Sequence, residues 1–422
     1  MIEDAARACL ALADRLVETF TRTNEAVGSQ GGARDLSAVA LAIARDMQRE
    51  AQVHLAAATA KTPLTLDSIL ALNQRARTAE ELHAFLENSS HRSLHPALTP
   101  TVRSELEALG IPSPALVTGT RDVSYEVWTF DRDNFVGLVP DAELNTFKFP
   151  LLVFLVPNAP LDWPLHHILL YHELGHALLD ARGGLPTLTP PTAWDPSTGT
   201  TPQESFDFLS KCNDYSDASE SWLAEIYADA VGVCLAGPAY AVAFARLLGA
   251  FFSLREAGSS HPPLALRIRL IDRALKAHGF TMPPEFATLL DGWLALAKSA
   301  KSFSSDTLEQ DVVMQLLTDV EAVFPNVLAL AEGHVGPRRY DTVAFNDDLA
   351  RGEALATRQI PPIEVEGVPS LSTHGTPLVP ARIFGAAWCA YLRDPERENE
   401  ARYADVVLGS LEGAEALRVW SM

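Results

Sequence analysis

The sequence is poor in positive charge. Its 422 residues carry 33 Lys and Arg against 54 Asp and Glu, a formal net charge of −21. Nucleic acids and anionic membrane surfaces both demand basic surface, so neither is expected as a partner. Cysteine is also scarce. Cys9, Cys212, Cys234 and Cys389 are scattered without C-x-x-C spacing. That excludes a disulfide framework and a cysteine-ligated zinc site, and it fits a reducing compartment. The start, Met1-Ile2-Glu3-Asp4, lacks the basic region and apolar stretch of a signal peptide, so a cytoplasmic location is expected. No convincing membrane span is read. Ala230 to Leu254 is nearly all apolar, with one charge at Arg246. Gly237-Pro238 is expected to divide it into two buried core helices.

Hydrophobic residues make up 47% of the chain, enough for a sizeable core. Most follow helical spacing. Helices are expected at 2–27, 34–56, 66–75, 78–88 and 100–109, with a turn at Gly28–Gly32 and a capping box at Thr78-Ala79-Glu80-Glu81. Near residue 122 the texture changes. Val123–Phe130, Asn134–Val139 and Phe147–Val156 are rich in β-formers and predict a small, mainly antiparallel sheet at 123–156. Further helices are expected at 262–278, 284–299, 307–323 and 341–356. A Pro-rich connection at 357–380 follows, then helices at 381–393 and 398–417. The expected class is α+β, mostly helical. Three regions are expected: a helical N-terminal part at 1–115, a core at 116–300 and a helical C-terminal part at 301–422. His54, His83, His91, His95, His374 and Arg338-Arg339 are isolated, and surface or loop roles are their default.

The chemistry gathers on a helix expected at 163–182, with Pro164 near its first turn. There His172-Glu173-Leu174-Gly175-His176 stands in an apolar run. Residues four apart share a helix face, so His172 and His176 can offer two imidazoles to one metal ion. Glu173 is placed to act as general base toward an activated water. A buried helix with two satisfied histidines is the plain alternative. The run is apolar nearly all round and thus buried, where two histidines and a glutamate are costly without a partner.

A zinc ion would want a third protein ligand. The best candidate is Glu225, in Ser219–Asp229, on a helix that Asp217 could cap with Glu220 three residues on. Asp229 lies one turn beyond Glu225 and is expected to accept the outer N–H of His172. Farther on, Ser259-Ser260-His261-Pro262-Pro263-Leu264-Ala265-Leu266-Arg267-Ile268 puts His261 at a helix mouth and Arg267 under two turns inside. His261 could stabilise an oxyanion; Tyr227 and Tyr215 are further candidates. Arg267 could hold a carboxylate of the site or a substrate carbonyl. The Pro/Thr/Gly-rich loop at 183–203 reads as a flap near the cleft or a plain surface excursion.

H-E-L-G-H, E-I-Y-A-D and S-H-P-P-L-A-L-R-I, in that order, resemble the gluzincin metallopeptidases of the HtpX and CAAX-prenyl-protease type. The resemblance covers about residues 165–270. It implies a zincin-like core and one Zn2+ on His172, His176 and Glu225. It also implies Glu173 as general base, Asp229 behind the ligands, and His261 and Arg267 at the H-P…R positions. Members typically have membrane spans, so this chain would be a soluble relative acting on a peptide or protein substrate. The soluble ImmA/IrrE-type regulators share H-E-x-x-H and the downstream E-x-x-A-D, but the H-P-P…R segment fits them less well. A zinc-bound interaction protein with little general proteolysis is the reading from another class, and a zinc hydrolase for a non-peptide amide is a third.

Overall fold

A computed structural model describes residues 2–27, 31–60, 66–89, 97–120, 125–157, 164–358, 379–393, 403 and 405–412. The chain forms two compact units, Met1–Leu161 and Asp162–Met422. The division falls inside the stretch expected as a single core.

The first unit opens with long helices, α1 (Ile2–Val27), α2 (Gly31–Thr59) and α3 (Leu66–Ser89), followed by α4 (Leu98–Ala108). Phe20, Val39, Ile43, Met47, Leu72 and Leu82 are buried in one hydrophobic cluster. The expected break at Thr78 is absent, and α3 runs through it. The Thr78 hydroxyl donates back to the Gln74 carbonyl at 3.2 Å, the mid-helix habit of threonine, instead of capping a new start.

Three strands follow: β1 (Ala115–Thr120), β2 (Glu126–Phe130) and β3 (Leu151–Pro157), with a single turn of helix, α5 (Asp141–Leu144), before the last. The sheet order is β1-β3-β2. β1 runs parallel to β3 and β2 antiparallel to it. The expected antiparallel sheet is therefore mixed, and it includes β1, which lies outside the expected 123–156. Asn134–Val139 contributes only a 3-10 turn (Arg132–Phe135) and an isolated bridge between Val136 and Val139. β3 is buried along its whole length, as its continuous apolar run requires of a central strand. Being paired on both sides, it has no free edge.

The second unit begins with a 3-10 segment, Pro164–Leu169, leading into α6 (Leu170–Arg182), which ends at Gly183 with φ 63°. Then come α7 (Pro202–Phe251), α8 (Leu264–Ala277), α9 (Pro284–Ser299), α10 (Gln310–Val335), α11 (Thr342–Arg358) and α12 (Pro380–Arg393). α7 starts fifteen residues before the expected cap at Asp217. Thr201 caps it instead: its hydroxyl accepts from the Glu204 N–H, Glu204 reaches back, and Pro202 fills the first turn. α7 is the axis of the unit, and α6, α8, α10 and α12 pack on it. At Gly237 (φ 57°, ψ −140°) it breaks into two arms, as Gly237-Pro238 predicts.

By length and composition, Pro202–Gly249 and Gln310–Arg338 are apolar enough to cross a membrane. The apolar window of the first is 89% buried inside the protein. His91, His95, His374, most of 357–380 and most of 398–417 lie outside the described residues, as do Val123 and Ser124.

Candidate metal centre

α6 and α7 cross at unusually short range. A Cβ on Gly175 would stand 2.7 Å from the Cα of Ala228, so only glycine lets these backbones meet. Gly175 lies on α6 between His172 and His176; Ala228 lies on α7 between Glu225 and Asp229. The close approach therefore brings the two pairs face to face.

His172 Nε2 and His176 Nε2 are 3.1 Å apart. Each is 3.3 Å from a Glu225 oxygen, Oε2 and Oε1 respectively. The three side chains form the metal-compatible group found among the described residues. Zinc bonds of about 2.0–2.1 Å would put ligand atoms at tetrahedral corners ~3.3 Å apart, so the triangle is sized for one ion. Glu225 Oε2 is buried and accepts no well-aligned hydrogen bond among the described residues. Arg267 Nη1 approaches it to 2.9 Å as an ion-pair partner only. An available lone pair beside two imidazole nitrogens is what a metal site needs. The triad can hold a metal ion.

Behind the triad, His172 Nδ1 lies 3.0 Å from Asp229 Oδ1. This assigns the imidazole proton to Nδ1 and leaves Nε2 free to ligate. Arg267 donates to both Asp229 oxygens at 2.8 Å, from Nε and from Nη2. Its guanidinium also stacks over the Phe244 ring, 4.8 Å from the centroid. The acidic pair at 225 and 229 thus has a resident cation. Burial pushes both carboxyls up, but Arg267 and His172 outweigh it and hold both below the usual carboxylate range. Burial would lower His172, yet Glu225 and Asp229 raise it to about 10. The carboxylates that favour a cation at Nε2 favour a proton there equally, so metal and proton compete for one lone pair.

Glu173 is buried, 3% exposed. Burial raises its carboxyl above the usual range, with His172 and His176 opposing. His261 sits on the solvent side of the triad. Its Nε2 is 3.5 Å from Glu225 Oε1, its side chain is 63% exposed, and Ser260 Oγ lies 2.8 Å from its Nδ1.

The two tyrosines weighed from sequence are engaged elsewhere. The Tyr227 hydroxyl is 2.6 Å from His334 Nδ1, and Tyr215 donates to Asp319 at 2.6 Å. Instead the structure brings in Tyr240. Its hydroxyl donates to Asp229 Oδ1 at 2.7 Å and lies 3.4 Å from His172 Nδ1. Burial beside Asp229 pushes the phenol well above its usual range, so it stays protonated. No motif marks this residue, because its position depends on the break at Gly237.

The segment 183–201 lies along the start of α7. Trp194 packs edge-on to Tyr215 with centroids 5.9 Å apart, and its carbonyl accepts from the Cys212 thiol at 3.2 Å.

Fold and site together define a mostly helical protein with a histidine–carboxylate triad, able to hold a metal ion, between two crossing helices. No family model, curated protein or solved structure matches this chain.

Proposed function

We propose that this chain is a zinc-dependent metallopeptidase of gluzincin logic, with a zincin-like centre built on α6 and α7. The observation that carries the reading is the three-cornered donor set of His172, His176 and Glu225 with a buried carboxylic acid, Glu173, next to it in the chain. Two nitrogens and a carboxylate suit zinc. A zinc ion held by these three residues would supply Lewis acidity toward a scissile carbonyl.

The remaining steps belong to the protein. Glu173 takes a proton from the attacking water and returns it to the leaving amine. Its burial raises its proton affinity toward the range such shuttling requires. Asp229 keeps the His172 proton on Nδ1 throughout. His261, at the solvent side, is placed to donate from its imidazole to an oxyanion. Tyr227 and Tyr215, already paired, are not assigned that role. The substrate is an unfolded or extended peptide, and the acidic surface disfavours nucleic acid.

The test is hydrolysis of an unstructured, casein-like protein by the full chain. Cleavage should stop on chelation and return with stoichiometric zinc. A chain that binds zinc and leaves such substrates intact would favour the interaction-protein reading.

A further inference from the structure

Asp229 and Tyr240 are eleven residues apart on what begins as one helix. A straight helix would separate them by ~16 Å along its axis, yet the Tyr240 hydroxyl donates to Asp229 at 2.7 Å. The break at Gly237 accounts for the difference. Its positive φ and the following Pro238 turn the second arm of α7 back on the first. Gly232 then makes room: a Cβ there would stand 2.5 Å from the Tyr240 ring. The ring is fully buried. Two glycines and a proline thus place one hydroxyl against the carboxylate that orients His172.

The donors around Asp229 divide the work. Arg267 takes Oδ2 through Nε and shares Oδ1 through Nη2. Tyr240 takes Oδ1 from another element, the same oxygen that faces His172 Nδ1 at 3.0 Å. Arg267 alone would fix the plane of the carboxylate, and Tyr240 adds a second anchor at the oxygen on which the imidazole depends. We propose that Tyr240 is a positioning residue of the metal centre, holding Asp229 Oδ1 in register with His172 Nδ1 and so setting how tightly the triad binds its ion. This rests on the metal-centre reading above.

The test is the zinc dissociation constant of the full chain, measured by competition with a chromophoric chelator, alongside unfolding of the metal-free protein. Tyr240→Phe keeps the ring and removes only the hydroxyl. Zinc affinity should fall about 10-fold or more, within the range typical for partners behind metal ligands. In an Asp229→Asn background the same change should have little further effect, because Tyr240 acts through Asp229. Wild-type affinity in Y240F, or an equal loss in both backgrounds, overturns the proposal. If Y240F does not fold, a ring-fluorinated tyrosine placed at 240 keeps the shape and alters only donor strength; unchanged zinc affinity in that protein overturns it as well. His172→Ala separates the two levels. If H172A binds zinc like the wild type, the metal-centre reading itself fails; if H172A loses zinc while Y240F does not, only the role of Tyr240 fails.

Discussion

Arg267 grips Asp229 with two nitrogens at 2.8 Å each and reaches Glu225 with the third at 2.9 Å. Acids buried together at 225 and 229 repel each other unless a cation lies beside them. Arg267 is such a cation, whether or not an ion is bound. Metal-stripped protein should therefore keep its fold. Arg267→Met should cost the metal-free protein about 3–5 kcal/mol, the cost of leaving a buried charge without its partner, and zinc should restore part of the loss. Denaturant unfolding with and without chelator measures both. A metal-free R267M protein as stable as the wild type would refute this.

Glu173→Gln removes proton transfer and leaves the triad unchanged. Turnover should fall by at least about 10²–10⁴-fold, with zinc content unchanged by elemental analysis. Glu225→Ala should do the reverse and lose the metal first. Equal zinc in E225A and wild type would break the three-ligand arrangement.

Gly175→Ala tests the helix crossing. The new methyl would meet the Ala228 backbone at 2.7 Å, and backbone cannot swing aside as a side-chain tip can. We expect a destabilisation of about 1–3 kcal/mol and weakened zinc binding, since any widening parts Glu225 from the histidines. Wild-type zinc affinity in G175A would show that the crossing has slack.

A pH effect is expected outside the triad. Asp348 is fully buried and accepts hydrogen bonds from Tyr340 and from Arg382 Nε. Burial, offset only in part by Arg382, raises its carboxyl to about 7 from 3.8. The folded state thus holds this proton more tightly than the unfolded state. Its stabilising contribution is fully present below the unfolded value and is lost as pH rises through about 7. The unfolding free energy of the wild type minus that of Asp348→Asn should fall from pH ~4 to ~7 and then level. A difference flat across that range rules the assignment out.

Much of the site is legible in the chain because its parts carry local signatures. His172 and His176 are one turn apart, Glu225 and Asp229 are another such pair, and both sit in apolar helices where polar groups need a reason. What the sequence conceals depends on tertiary geometry. Tyr240 reaches Asp229 only because the chain reverses at Gly237. Arg267 reads as one of several options until α8 packs on α7. The fold shows the same division. The limits of α9 and of α1 follow from periodicity and flanking residues. Ala-Leu-Val-Thr-Gly-Thr at 115–120 has no alternation to betray a strand, and it becomes one only because β3 offers it an edge. Thr78 and Asp217 both resemble caps, yet neither begins a helix, since the turns before them were already helical.

The link between α6 and α7, residues 183–201, is about half exposed and half partly buried, and it holds short-range bonds such as Asp195 Oδ1 accepting from Ser197 N–H at 2.8 Å. The centre does not depend on its length, because the crossing at Gly175 and Ala228 sets the geometry. Lengthening it should cost only about 0.6 kcal/mol per doubling. Severed there, the chain becomes two pieces. One brings His172, Glu173 and His176; the other brings Glu225, Asp229, Tyr240 and Arg267. Neither piece alone carries a full donor set, so zinc uptake by the mixture would report reassembly of the halves and rise with their concentration.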